Sequence, residues 1–152
     1  MGTIRRFDLD EIKNKYSSEV FVETGTMFGD GVEYALGFGF DKIISIEIEP
    51  AIHETASNNY KNNNKVEIIL GDSSKVLPEC LSSINGNAIF WLDAHFPGAD
   101  AGILSYESCK QMEYDTRVPL EAELTAISKR VDSYKDVIIA DDLWLYEEGA
   151  YG

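Results

Sequence analysis

Val20-Phe21-Val22-Glu23-Thr24-Gly25-Thr26-Met27-Phe28-Gly29-Asp30-Gly31 is the stretch around which the chain is organised. Three apolar residues, Val20 to Val22, run into an acid, and the chain then breaks into glycines. Helical spacing resumes at Val32, followed by Tyr34, Ala35, Leu36 and Phe38. The pattern predicts a buried strand, a tight turn, and a helix that starts beneath the turn. Glycines there keep side chains out of a ligand's path, and a helix N-terminus offers unpaired backbone N–H donors. A strand-to-helix turn that binds nothing has the same outline, so the strands that follow must decide.

Upstream, Phe7 to Tyr16 places Leu9, Ile12 and Tyr16 on one face of a short amphipathic helix at the sheet edge. Downstream, Phe40 to Glu47 reads as a second strand, apolar enough to be covered on both faces. Pro50 suits the first turn of a helix carrying Ile52, Ala56 and Tyr60. Val66 to Leu70 is a third strand, closed by Gly71-Asp72-Ser73-Ser74. Ser73 or Ser74 is expected to cap a helix with Val76, Leu77, Cys80 and Leu81, with Pro78 near its start. Ala88 to Asp93 and Val137 to Asp141 are the fourth and fifth strands. Between them Thr116 and Pro119 open a helix with Leu120, Leu124 and Ile127. Strands alternating with helices imply a single α/β domain over residues 1–152, a doubly wound, mainly parallel sheet in three layers. The stretch His95 to Val118 is long and weakly periodic, and is expected to be a lid.

Bulk properties narrow the function. The 152 residues carry a formal net charge of −14. That argues against nucleic acid as a partner, because phosphate neutralisation needs clustered Lys and Arg. No apolar run approaches a membrane span. The N-terminus lacks the apolar region of a signal peptide and the full myristoylation pattern after Met1-Gly2. Cys80 and Cys109 are isolated, which suits a reducing, cytoplasmic setting.

In parallel sheets ligands bind beyond the carboxyl ends of the strands. Each strand here ends in a carboxylate or is followed at once by one: Glu23, Glu47, Asp72, Asp93 and Asp141-Asp142. Carboxylates on one rim repel each other unless a ligand, metal or proton compensates, so the row points to a site. Glu47 lies about twenty residues beyond the glycine turn, where an acid accepts hydrogen bonds from ribose hydroxyls. The dinucleotide fingerprint needs G-x-G-x-x-G, whereas Gly25 is followed by Thr26, Met27 and Phe28 before Gly29. The spacing therefore favours a nucleoside without pyrophosphate and leaves a nicotinamide-dependent oxidoreductase as the weaker alternative.

Glu23-x-Gly25-Thr26-x-x-Gly29-x-Gly31, with Glu47 and Gly71-Asp72-Ser73, resembles class I S-adenosylmethionine-dependent methyltransferases. Within that superfamily, Phe90-Trp91-Leu92-Asp93-Ala94-His95 with Ile139-Ala140-Asp141-Asp142 is similar to the metal-dependent macrocin- and novobiocin-type O-methyltransferases and their cephalosporin-hydroxylase relatives. The resemblance implies a Rossmann-like fold, here expected to lack the two last strands of the family. It implies S-adenosylmethionine contacts from Glu23, Thr24, Gly25, Thr26, Gly29 and Gly31 around the methionine part. Glu47 follows at the ribose and Gly71, Asp72 and Ser73 at the adenine, with Ile48 and Asp93 as further cofactor contacts. It further implies a magnesium ion on Asp93, Asp141 and Asp142.

The chemistry of those residues fits the implication. Three aspartates with no neighbouring Cys are hard oxygen ligands, suited to Mg²⁺, Mn²⁺ or Ca²⁺ rather than Zn²⁺. A hydroxyl bound to such an ion loses its proton more readily, and His95 can accept it, with Asp93 beside it. The expected activity is O-methylation of a small-molecule acceptor. A non-catalytic cofactor-binding module of the same fold is the alternative, and an exposed fifth-strand edge would favour homo-oligomers. His53 is expected to face solvent and Trp91 to sit in the core. Trp144 and Tyr146 are expected either to wall the pocket or to form an exposed patch, and Glu147-Glu148 to be a solvated end.

Overall fold

The computed structural model describes residues 3–146, so Met1-Gly2 and Glu147-Glu148 lie outside the described residues. The Val20 run forms β1 (Ser18–Thr24), in which every residue but Glu19 is buried. Its neighbours are β2 (Lys42–Glu47) on one side and β4 (Asn87–Leu92) on the other. β3 (Val66–Leu70) and β5 (Val137–Ala140) complete one sheet of order β3-β2-β1-β4-β5, parallel throughout. Such a sheet must be covered on both faces, and strand alternation supplies a core to each. Val20, Val22, Ile44, Phe90 and Leu92 pack on one side with Leu77 and Leu81 of α4 (Ser73–Leu81) and Leu120 and Ile127 of α7 (Leu120–Ser128). Phe21, Ile43, Ile89 and Trp91 face the other side, against Leu9 of α1 (Leu9–Tyr16) and Val32 and Ala35 of α2 (Asp30–Leu36). Tyr60, at the end of α3 (Pro50–Tyr60), packs on that second core. The result is the expected doubly wound α/β/α fold.

Local details differ from expectation. α1 starts at Leu9 because Asp8 accepts from the amides of Asp10 and Glu11; Ile4–Arg6 before it form a separate 3-10 turn. α4 is capped by Asp72, not by a serine, and Pro78 lies inside it. The segment 95–118 is not featureless. It holds two one-turn helices, α5 (Tyr106–Cys109) and α6 (Tyr114–Arg117), and a small core of Phe96, Cys109 from α5, Val118 just past α6, and Leu145. α7 therefore begins only at Leu120, after that core is made. His53 is half-buried, with Nε2 3.2 Å from the Ile68 carbonyl and 3.1 Å from Ser57 Oγ, so it ties α3 to β3 rather than facing solvent. Trp91 is 3% exposed, a core residue as expected.

The return from α7 to β5 is held by Arg130. Its Nε donates to Asp136 Oδ2 at 2.7 Å, and its Nη atoms donate to the carbonyls of Ile84 and Gly86, each at 2.8 Å. A buried guanidinium satisfied by an acid and carbonyls locks the lower ends of β4 and β5 together. Among the described residues, no helix is long and apolar enough to cross a membrane.

Candidate functional site

The chain runs outward from β1 to β3 and then returns to β4 on the other side of β1. The crevice at that switch, beyond the strands' carboxyl ends, is a cleft of about 370 Å³. Gly25 turns the chain over it at φ 85°, and a Cβ there would meet the Asp93 carbonyl at 3.0 Å. Glycine is what lets the β1 turn press against the end of β4. Gly31 serves another end. A Cβ on it would fall 1.8 Å from Glu23 Oε1, so its bareness makes room for that carboxyl.

The acids of β1, β2 and β3 are tied down by donors. Thr26 and Ser45 hydroxyls lie 2.6 Å apart, and Ser45 donates to Glu23 Oε2 at 2.6 Å. Glu23 is 2% exposed. Burial, offset in part by Ser45 and reinforced by Asp93 and Glu47, pushes its carboxyl up to about 8. Glu47 accepts the Met27 amide on Oε2 at 3.0 Å and the Glu49 amide on Oε1 at 2.9 Å. Its burial outweighs those donors and raises it. Asp72 accepts the Ser74 amide and hydroxyl, the Thr116 hydroxyl at 2.6 Å, and the Lys75 ammonium at 3.1 Å. Burial alone would raise Asp72, but the Thr116 and Ser74 hydroxyls and Lys75 hold it below the usual carboxylate range.

Across the cleft the acids crowd together. Burial, then the charges of Asp141, Asp142 and Asp100, push Asp93 up to about 7. His95 Nδ1 lies 3.0 Å from the Asp93 carbonyl, and Nε2 lies 3.3 Å from Asp142 Oδ2. A carbonyl only accepts, so Nδ1 carries a proton. The other nitrogen then faces a carboxylate oxygen, a contact that needs a proton or a cation between the two. Asp142 also accepts from Trp144 Nε1 at 3.0 Å, and the Tyr106 hydroxyl donates to Asp100.

Ligand atoms of Asp93, His95 and Asp142 lie within 4.8 Å of one another, close enough to share a metal ion. Asp141 is not in that group. Consecutive residues leave a strand on opposite sides, and Asp142 at φ 49° turns into the cleft while Asp141 points away. The Asp141 amide extends the ladder to the Leu92 carbonyl at 3.0 Å. Its carboxyl, together with Glu123 and Tyr146, lines a second chamber of about 10 Å³, room for about one water. Burial pushes Glu123 up to about 7 despite the facing Ser73 and Thr24 hydroxyls.

Most residues singled out in the sequence therefore converge. Glu23, Gly25, Thr26, Gly31, Glu47 and Ile48 line the cleft from β1 and β2. Gly71, Asp72 and Ser73 follow from β3, with Asp93, His95 and Asp142 opposite. Three stand back from it: Asp141 faces the second chamber, Thr24 is buried within the sheet under α7, and Gly29 caps α2 and accepts from the Tyr60 hydroxyl at 3.2 Å. Tyr146 holds the Leu120 amide at 3.1 Å, away from the cleft, and Trp144 is 55% exposed. Residues not singled out also matter. Thr3 and Ile4 wall the cleft from the N-terminal turn, Ser45 anchors Glu23, and Thr116 bridges segment 95–118 to Asp72. Ser45, a lone hydroxyl inside the apolar run of β2, was the one legible clue.

No protein-family profile matches the chain, and no curated protein matches it. Solved structures do resemble it. The SAH-bound methyltransferase PaMTH1 of Podospora anserina matches with a TM-score of 0.56 at 14% identity, over 90% of this chain and 51% of its own. A Haemophilus influenzae protein provisionally named a methylase matches with a TM-score of 0.51 at 11% identity, over 82% of this chain and 64% of its own. The chain thus spans between half and two thirds of the length of these structures. At such identities the likeness concerns the fold, which is the Rossmann-like fold of methyltransferases.

Proposed function

We propose that this chain binds S-adenosylmethionine in the cleft and transfers its methyl group to a hydroxyl of a small molecule. The observation that carries the reading is the convergence of the β1 turn, Glu47 and Asp72-Ser73 on one cleft that ends at Asp93, His95 and Asp142. The donor chemistry fits the cofactor. Each Glu47 oxygen spends one lone pair on a backbone amide and keeps another for a ribose hydroxyl, and the two amides fix the carboxylate before ligand arrives. Ile48 supplies an apolar edge for the adenine, with Asp72 and Ser73 as its polar partners. Gly25 leaves the floor bare beneath the methionine part, beside the carboxyl of Glu23.

At the far end the acceptor oxygen attacks the sulfonium methyl; the S–C electron pair stays on sulfur and the hydroxyl proton leaves. Asp93 and, when its Nε2 carries neither proton nor metal ion, His95 are the groups placed to take that proton, and holding the reactants in line supplies most of the rest. Asp93 and Asp142 also offer carboxylates to a divalent ion such as Mg²⁺ or Mn²⁺, with the His95 imidazole shifting the set towards Mn²⁺, and the ion's chemistry there would be to acidify the acceptor hydroxyl. Small-molecule methylation in the cytoplasm, by a chain that self-associates along β5, the outer strand of the described sheet, completes the reading.

Calorimetric titration of S-adenosylmethionine into the protein tests it. Micromolar binding that Glu47→Ala weakens at least about tenfold is the expected result; a tenfold loss corresponds to about 1.4 kcal/mol. A folded protein that gives no heat sinks the reading. Binding without any S-adenosylhomocysteine formed across an acceptor screen would favour a cofactor-binding module instead.

A further inference from the structure

Apart from His95, every acidic or basic side chain among the described residues that line the cleft is a carboxyl. Seven acids contribute, of which buried Glu23 keeps its proton and adds no charge, and among the described residues no Lys or Arg does. Lys75 reaches one of them, Asp72, from outside the cleft. Among the described residues, no Lys or Arg forms an ion pair with Asp30, Glu47, Asp100 or Asp142, and the chain as a whole carries −14. Walls of one sign around a partly closed space focus the field on what enters it. Apolar surface from Phe28, Trp91 and Phe96 completes the lining and lowers the local screening.

Methyl transfer changes the charge of the occupant. S-adenosylmethionine carries a sulfonium and an ammonium against one carboxylate, a net +1. Loss of the methyl to an acceptor oxygen leaves sulfur as a neutral thioether, with the bond pair retained and the acceptor's proton passed to a base. The product cofactor is therefore neutral overall. Resting on the cofactor reading above, we infer that this cleft selects for positive charge and binds S-adenosylmethionine more tightly than S-adenosylhomocysteine, so that transfer itself loosens the product. The same field disfavours acceptors bearing carboxylate or phosphate groups and narrows the acceptor to neutral or cationic hydroxyl compounds.

Calorimetric titration of S-adenosylmethionine and S-adenosylhomocysteine into the same protein without added divalent ion, which would cancel the cleft's charge, at about 0.05 M and about 0.5 M monovalent salt, decides the matter. The expected result is a product Kd at least about tenfold above that of the substrate at low salt, with the ratio shrinking at high salt. The double variant Asp30→Asn/Asp100→Asn removes two exposed rim charges outside the ribose and adenine contacts. It should narrow the ratio severalfold while leaving S-adenosylhomocysteine binding within about twofold. Product binding as tight as substrate, or tighter, at low salt overturns the charge selection and leaves the cofactor assignment standing. If neither compound binds the folded protein, the cofactor assignment itself falls and the selectivity with it.

Discussion

The two halves of the strand-end rim solve the same electrostatic problem differently. On the β2–β3 side, Glu47 and Asp72 are each held by at least two protein donors, and Asp72 has a lysine as well. On the β4–β5 side, Asp93 and Asp142 crowd around one histidine, and Asp141 Oδ2 is buried with no hydrogen-bond partner among the described residues. The first half is organised before any ligand arrives. The second leaves repulsion in place, so its compensation has to come from a proton, a cation or a positively charged occupant. Glu23, on the central strand, lies between the two and holds a proton of its own.

That central acid should give the largest effect. Its folded carboxyl keeps its proton up to about pH 8, against an ordinary value of 4.5. The folded state is thus the better proton binder between those limits, so stability is complete below pH 4.5 and is lost as pH rises towards 8. Linkage puts the loss on the order of 5 kcal/mol. Glu23→Gln mimics the protonated group and should flatten the fall of Tm between about pH 6 and about pH 9. A variant whose Tm falls as steeply as the parent's would remove Glu23 from this role.

Next in size is the organised half. Asp72→Ala removes the cap of α4 and the Thr116 tether together, and should cost about 2 kcal/mol in chemical denaturation. Hydrogen exchange in segment 95–118 should quicken with it, since Thr116 belongs to that segment. Asp72→Asn keeps one acceptor for the Ser74 amide and should recover about half the loss. Equal losses in the two variants would mean that the cap contributes little and that the charge on Asp72, with its Lys75 partner, dominates.

The organised half was the legible half. Strand ends, the β1 turn and the position of Glu47 follow from alternation and spacing, which local sequence records. What escaped depends on contacts made at a distance. The Arg130 clamp joins residues 44–49 positions apart, and neither Arg130 nor Asp136 stands out in its own neighbourhood. Glu123 lies in a helix whose spacing gives no hint that it, and not Leu124, faces inward; it is 1% exposed and Leu124 is 38%. The opposed directions of Asp141 and Asp142 hinge on one left-handed residue at the strand end, which an acidic pair alone does not reveal. Segment 95–118 looked aperiodic because its core draws Leu145 from beyond β5.

The smallest effect tests the unorganised half directly. Mg²⁺ at about ten times its Kd should stabilise the protein by about 1.4 kcal/mol if it binds only the folded state. Asp142→Asn should abolish that increment, because it removes one of the three ligands that approach within 4.8 Å. Without Mg²⁺ the same variant should be no less stable than the parent: it removes one charge from a repelling set and still offers an oxygen to Trp144 Nε1. The sign of that metal-free change separates the two halves, since Asp72→Ala must lower stability under identical conditions. A parent unmoved by Mg²⁺, together with an Asp142→Asn variant destabilised as much as Asp72→Ala, would mean that both halves are internally compensated. The acids around His95 would then be held by the fold itself, with no need of a cation.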